Sequence, residues 1–299
     1  MKADTLVIVN PAAGGGRARR IEPRIAAYLA EHEVDARFTH SESSGDIRMR
    51  ATRAAAEGYR CIVALGGDGA FHHLVEGVQG TDAIAGFFPA GNGNDIAHAL
   101  GIPTEPMRSV EAFLRSKPRL VDLIRVRFRN GGLAHFIGAG GMGLDAEAAH
   151  LANTRFRKWP GVSRYLAGAL WAFSHAESLE MRATFDGERW AGRALFAAVA
   201  NGTSYGAGMR IAPEARMDDG LLDVAVIEEL GWLRLFRAIP IVLTSGNLER
   251  FPEVHRYRCR RVSLETEPPA KVHGDGEFLG ESPADFEIVP GAIRVMTPG

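Results

Sequence analysis

Residues 61 to 78 leave this chain few folds to choose from. Cys61-Ile62-Val63-Ala64-Leu65 is an apolar run with two β-branched members and reads as a buried strand. Gly66-Gly67-Asp68-Gly69 follows at once. Three glycines in four positions end the strand, permit φ > 0, and let backbone N–H groups approach a ligand with no Cβ in the way. Beyond them Phe71, Leu74, Val75 and Val78 recur at helical spacing. Strand, glycine turn and helix N-terminus, in that order, present amides and a positive dipole end to an anion, most often phosphate. Asp68 would repel a bare phosphate, and a Mg²⁺ held between the two explains its place in the loop. For this loop taken alone, a tight βα turn with no ligand is the plainer alternative.

The same unit occurs twice more. Leu6 to Val9 is a short apolar strand that runs into Asn10-Pro11-Ala12-Ala13-Gly14-Gly15-Gly16, and Arg17 to Ala30 then carries Ile21, Ile25 and Leu29 on one helix face. Ala83 to Phe88 is a further strand, followed by Pro89-Ala90-Gly91-Asn92-Gly93-Asn94-Asp95 and a helix from Ile96 to Leu100. Asn94 and Asp95 also suit helix N-caps. Val34 to Thr39 reads as a strand, Ile47 to Glu57 as a helix and Ser109 to Leu114 as a short helix. In an open parallel sheet such loops gather at the carboxyl ends of the strands, where ligands bind. Three of them favour a nucleotide or polyphosphate site.

After Arg119 the pattern changes to alternation and turns. Val121, Leu123, Val126 and Phe128 precede Asn130-Gly131-Gly132 and His135-Phe136-Ile137-Gly138, a hairpin signal. Strand-like stretches recur at Met181–Phe185, Ala194–Ala200, Leu222–Ile227, Val262–Glu265 and Phe286–Val289. The reading is an α/β domain over residues 1–120 and an all-β sandwich over 121–290, with 291–299 returning to the first domain. Two helices interrupt the β half. Ser163 to Ala176 follows a basic and aromatic cluster, Arg155, Arg157, Lys158 and Trp159, that either docks on an anionic membrane surface or is a packed helix with a solvated end. Trp232 to Leu243 either covers the sandwich or lines an acyl-chain groove.

Composition narrows the function classes. A net charge of −1 over 299 residues gives no bulk electrostatic case for nucleic acid. The two cysteines form no disulfide or zinc framework, and Leu6 to Val9 followed by Asn-Pro lacks the layout of a secretory leader. No apolar run reaches 18 residues, so a transmembrane segment is not expected. A cytoplasmic protein is expected, with any lipid contact made peripherally from the surface.

Taken in order, these motifs resemble the diacylglycerol kinase catalytic-domain family, which includes sphingosine and ceramide kinases and small bacterial lipid kinases. The resemblance runs over essentially the whole chain. It rests on Asn10-Pro11…Gly14, Gly66 to Gly69, Pro89 to Asp95, Val121-Asp122-Leu123, Val199-Ala200-Asn201-Gly202 with Ile211-Ala212-Pro213, Asp218 to Val224, and Gly274-Asp275-Gly276-Glu277. The resemblance implies a phosphofructokinase-type α/β domain, a C-terminal β-sandwich, and Mg-ATP between them. It implies that Asn10, Pro11, Ala12, Ala13 and Gly14, the loop Gly66, Gly67, Asp68 and Gly69 with Ala70, Phe71 and His72, and Gly91 and Asn92 surround the nucleotide. Ser41 stands where the family has a nucleotide-contacting threonine, with Thr39 as the other candidate. Asp68, Asp95 and Asp122 are implied to organise Mg²⁺, and Asp219 with the carbonyls of Arg216 and Leu221 a separate structural Mg²⁺. Asp275 and Glu277 are implied as the general base and its partner for an acceptor hydroxyl on a lipid at a membrane surface. A homodimer is an option among bacterial relatives.

Phosphoryl transfer needs charge neutralisation, in-line placement and help in deprotonating an alcohol. On an extended strand Asp275 and Glu277 would point the same way, whereas Asp-Gly also suits a surface turn. The stretch after Gly69 departs from the family: Ala70, His72 and His73 stand where threonine, asparagine and glutamate are usual. Packing or solvation is the expected role of the histidines, with a phosphate contact as the alternative. Adjacent helix positions face different ways, so two neighbouring histidines alone do not make a metal site. The same motifs also fit two other functions: a nucleotide-binding protein that has lost phosphoryl transfer, and a soluble kinase of the NAD-kinase type.

Overall fold

The computed structural model describes residues 4–156, 158–159, 162–176 and 178–298. The chain divides into two compact units, Met1–Val121 with Gly291–Gly299, and Asp122–Pro290.

In the first unit the elements alternate: β1 (Thr5–Val9), α1 (Ala13–Glu31), β2 (Ala36–His40), α2 (Ser44–Ala56), β3 (Cys61–Gly66), α3 (Asp68–Val78), β4 (Ile84–Pro89), α4 (Asp95–Ala99) and α5 (Pro106–Phe113). The strands pair in parallel in the order β2-β1-β3-β4, with Thr5 beside both Ala36 and Cys61, and Cys61 beside Ile84. Their registers bring the loops after β1, β3 and β4 to one sheet edge. Val7, Val9, Val63 and Leu65 pack with Ile25 and Leu29 of α1 and with Met107 and Val110 of α5. The alternate residues Ile8, Ile62 and Ala64 are equally buried, on the side that α2 and α3 cover. This two-sided burial explains why the strands read as continuous apolar runs rather than alternating ones.

The second unit begins within β5 (Lys117–Phe128) and continues through β6 (Leu133–Phe136), β7 (Ala139–Gly143), α6 (Leu144–Asn153), α7 (Val162–His175), β8 (Leu179–Phe185), β9 (Glu188–Ala200), β10 (Leu222–Glu228), α8 (Trp232–Thr244), β11 (Val254–Cys259), β12 (Arg261–Glu267), β13 (Lys271–Gly274), β14 (Glu277–Glu281) and β15 (Ala284–Thr297). The Asn130-Gly131-Gly132 hairpin is present: Phe128 N donates to Gly132 O at 2.9 Å, and Ile124 pairs with Phe136. Pairing runs β14-β13-β7-β9-β8-β12-β15, antiparallel at each step, with β10 and β11 continuing from β9. Its core gathers Phe136, Met142, Val199, Val224, Val262 and Phe286. The α/β unit and the β-sandwich-like unit expected from the sequence are both present. The helix α6 and strand β11 were not anticipated. The end of β15 belongs to the first unit, where Arg294 and Val295 run parallel to Ile84 and Ala85 of β4.

Candidate active site

In the first unit the glycine loops interlock. Asn10 N donates to Leu65 O at 2.9 Å, and Ala12 N to the Asn10 side chain at 3.2 Å. Gly14, Gly15 and Gly16 all have positive φ, so the regular part of α1 starts only after them. A Cβ on Gly14 would strike the Ala90 carbonyl, one on Gly66 would come within 2.5 Å of Ala70, and one on Gly91 within 2.6 Å of the Gly67 Cα. Such spacing is closer than side chains tolerate, so glycine is what lets three loops share one place. Asn94, itself at φ 59, holds the third loop by exchanging hydrogen bonds with the Gly91 backbone at 3.0 and 3.2 Å. Arg17 adds a cation that the sequence did not single out: its guanidinium donates to the carbonyls of Ala90 and Gly91. Its only signal was position, one residue past a glycine loop.

Several predicted site residues take particular places here. Asp68 lies in the first turn of α3 and accepts from Ile96 N at 3.0 Å, so it, and not Asn94 or Asp95, caps α4 with a side chain. Asp95 is buried beside it in the first turn of α4. The amides of Ala70 and Phe71 both donate to Gly67 O and are thereby committed within the helix. The Phe71 ring is fully buried and stacks on Phe87 at 4.6 Å, which makes it a core residue. Pro11, Ala12, Ala13 and Asn92 are at least partly accessible around the interlocked loops. Ser41 is buried with its hydroxyl on the carbonyl of Val9, and Thr39 accepts from Arg50 at 2.8 Å. His72 is buried, and both it and His73 approach Glu76.

The second unit holds the other carboxylates. Asp275 and Glu277 are not on one extended strand. Asp275 (φ 52) and Gly276 (φ 86) form the two-residue turn between β13 and β14, the left-handed conformation that Asp-Gly favours. The extended geometry expected for the pair is therefore corrected. The Asp275 carboxylate is fixed at both oxygens, accepting from Gly138 N at 2.8 Å and Ile137 N at 3.0 Å. Glu277 is half-buried at the start of β14. Two residues before Asp275 lies a buried pair that the sequence did not reveal: His273 Nε2 meets Asp145 Oδ2 at 3.1 Å, each side chain only 3% exposed. Desolvation, reinforced by the Asp145 charge, drives the phenol of the half-buried Tyr205 well above its ordinary pKa.

Asp122 is the first residue of the second unit. It is buried in the second unit, accepts from Gly220 N at 2.8 Å, and its own amide donates to Met217 O. It thus braces the loop that carries Arg216, Asp219 and Leu221. Asp219 accepts from Leu221 N at 3.1 Å and pairs with Arg258, which also lies 3.3 Å from Asp223. Asp223 Oδ2 is buried with no hydrogen-bond partner among the described residues, and burial raises its pKa against the pull of Arg258. Two carboxylates sharing one guanidinium, with a buried oxygen to spare, make a donor set that suits a hard divalent cation.

On the surface of the same unit, Trp232, Leu233 and Phe236 of α8 are about half exposed or more. Trp232 meets Phe173 of α7 edge-on at 4.7 Å. Arg155 lies over the Trp171 ring, Lys158 and Trp159 are exposed, and Arg157 falls outside the described residues. No helix among the described residues is long and apolar enough to cross a membrane.

Comparison with known proteins converges on one family. Residues 4–126 match the diacylglycerol kinase catalytic domain, and residues 138–297 match the YegS C-terminal NAD kinase beta sandwich-like domain. The chain is 31% identical over 294 residues to a diacylglycerol kinase of Mycobacterium tuberculosis, covering 97% of this chain and 94% of that protein. It is 33% identical over 274 residues to a "probable lipid kinase YegS-like" of Pseudomonas aeruginosa, covering 90% and 86%. A crystal structure of a diacylglycerol kinase from Bacillus anthracis shares the fold, with a TM-score of 0.77 at 22% identity over 98% of this chain and 96% of that one. The chain belongs to the diacylglycerol kinase family of lipid kinases, and is a kinase that takes an alcohol group as acceptor.

Proposed function

We propose that the chain transfers the γ-phosphate of ATP, in a Mg²⁺-dependent reaction, to a hydroxyl of a diacylglycerol-like membrane lipid. The observation that carries this reading is the interlock of Gly14, Gly66, Gly67 and Gly91 with Ala90 and Asn10, three glycine loops packed so closely that a single Cβ would force them apart. Glycine lets the three loops pack this closely and so gathers their backbone at one sheet edge for the nucleotide phosphates, and Arg17 adds positive charge there. Asp68 and Asp95 are the carboxylates that would hold the catalytic Mg²⁺, whose part in such chemistry is to neutralise charge on the transferred group. Asp219, with the carbonyls of Arg216 and Leu221, would hold a second, structural ion in the loop that Asp122 braces.

Asp275 is the general base in this reading. Its two backbone hydrogen bonds fix the carboxylate before substrate arrives, so no reorganisation is needed when the acceptor hydroxyl gives up its proton. Glu277 is its partner. The lipid is reached from a membrane surface, with Trp232, Leu233 and Phe236 as the apolar contact and Arg155 and Lys158 facing anionic headgroups.

The test is phosphorylation of lipids in mixed micelles with radiolabelled ATP. Labelling of a diacylglycerol-like lipid that disappears with Asp275→Asn and with chelation of Mg²⁺ supports the proposal. Binding of Mg-ATP with no labelled lipid favours a nucleotide-binding protein without transfer, and labelling of NAD favours a soluble kinase.

A further inference from the structure

We propose that His72, His73 and Glu76 of α3 form a binding site for a divalent transition metal of the zinc type. The roles proposed above for phosphoryl transfer use neither His73 nor Glu76, and His72 enters them only as part of the loop that the family resemblance sets around the nucleotide. Neighbouring helix positions are about 100° apart, which is why two adjacent histidines alone do not converge. Glu76 alters that geometry. Four residues after His72 it stands only about 40° further round the helix, and so lies between the two imidazoles. Accordingly, His73 Nδ1 is 2.9 Å and His72 Nε2 3.9 Å from the same oxygen, Glu76 Oε2. The three donor atoms all lie within 4.8 Å of one another.

Those separations suit a small ion. Zn–N and Zn–O bonds near 2.1 Å in a tetrahedron set neighbouring donors about 3.4 Å apart, and the two distances to Glu76 Oε2 bracket that spacing. The other carboxylate oxygen, Oε1, faces Arg48 at 3.9 Å, which leaves Oε2 to the histidines. The donor set is two imidazoles and a carboxylate, leaving a fourth position for water, and such a set favours zinc, cobalt or nickel over Mg²⁺. His72 is nearly fully buried at 3% exposure, while His73 and Glu76 are reached from solvent at 16% and 23%. An ion can therefore enter from the His73 side and be held from within by His72. His73 Nε2 has no hydrogen-bond partner among the described residues, so beyond its edge contact with His72 the ring is oriented by Glu76 and can turn toward an ion.

The position gives the site consequences. His72 follows Asp68 by four residues, one helical turn along the same face. A metal here would clamp the turn directly behind the carboxylate that caps α4.

The experiment uses the purified full chain, stripped of metal, titrated with Co²⁺ in the presence of excess Mg²⁺ and followed by d–d absorption. One equivalent giving an absorption band, displaced by Zn²⁺, is the expected result, with a rise in melting temperature on adding Zn²⁺. Glu76→Gln and His73→Gln should each weaken binding by at least the roughly 10- to 100-fold that loss of an outer partner costs a metal site. Both sit at the accessible side of the site, and Glu76→Gln keeps a hydrogen-bond acceptor for His73. Absence of a Co²⁺ band in the wild type, or unchanged affinity in both variants, overturns the proposal. The result does not depend on kinase activity, so it stands or falls apart from the lipid-kinase reading.

Discussion

Asp68 Oδ1 accepts the Ile96 amide at 3.0 Å, so a carboxylate in the first turn of one helix closes the N-terminus of another, 28 residues on. One side chain thereby ties the second glycine loop to the third. Asp68→Ala removes the cap and should lower stability by about 1 kcal/mol. Asp68→Asn keeps an oxygen acceptor and should stay within a few tenths of a kcal/mol of wild type, while kinase activity falls in both variants. Urea unfolding beside a kinase assay separates the two effects, and equal stability of the alanine variant and wild type would refute the capping role.

Gly14 and Gly15 make a controlled pair. Both have positive φ, but a Cβ on Gly15 meets nothing within 4 Å whereas one on Gly14 meets the Ala90 carbonyl. Gly15→Ala should cost about 1–2 kcal/mol from backbone conformation alone. Gly14→Ala should cost more and should also weaken ATP binding, because the first and third loops must part. Chemical denaturation with nucleotide titration checks this, and matching losses in the two variants would show that the loops yield easily.

Asp275→Asn should lower kcat by about 10²- to 10⁴-fold, the usual worth of a positioned general base, with KM for ATP little changed. Asparagine is at home in this left-handed turn, so the hairpin should survive and circular dichroism should match wild type. Loss of the fold in this variant would instead point to the hydrogen bonds from Ile137 and Gly138 as its main work.

Cys61 and Cys259 are both buried, and burial pushes each thiol up to about 12, with the Asp186 charge adding to the effect at Cys259. An acid whose pKa is raised by folding is favoured protonated. These thiols therefore leave stability untouched below the unfolded value near 8.5 and reduce it as pH climbs above that value toward 12. A thiol reagent at pH 8 should find no fast-reacting cysteine in the native protein and both in denaturant. A fast native equivalent would contradict the burial.

Leu233→Asp combined with Phe236→Ser should reduce cosedimentation with anionic vesicles by about 10-fold, the scale of losing two buried apolar contacts. Phosphorylation of a dispersed short-chain lipid should suffer less than phosphorylation in vesicles. Equal vesicle binding before and after substitution would place the membrane contact elsewhere.

The first unit was legible because its signals are local. Each strand, glycine loop and helix announces itself within some twenty residues, and the parallel sheet then collects the loops. The second unit was less so. The glycine-rich run 138–143 masked the start of α6, and β11 hid its apolar residues, Val254, Tyr257 and Cys259, among His255, Arg256 and Arg258. Asp275 and Glu277 stood out as chemistry, but the same Asp-Gly is also a hairpin turn, and only the register of β13 with β14 decided its shape. Asp145 and His273 lie 128 residues apart, and no spacing rule joins them. Glu76 was visible all along, yet its bearing on His72 and His73 emerges only when the three are set around one helix.

The first unit opens at residue 1 and is completed by Gly291–Gly299, where Arg294 lies beside Ile84 and pairs with Asp82. On the ribosome, the half of the chain made first is therefore finished last. Until residues 291–298 emerge, β4 presents a flank that lacks this neighbour. A chain cut before residue 291 would carry the second unit and leave the first open along β4, so the first sheet closes only after the second unit has been made.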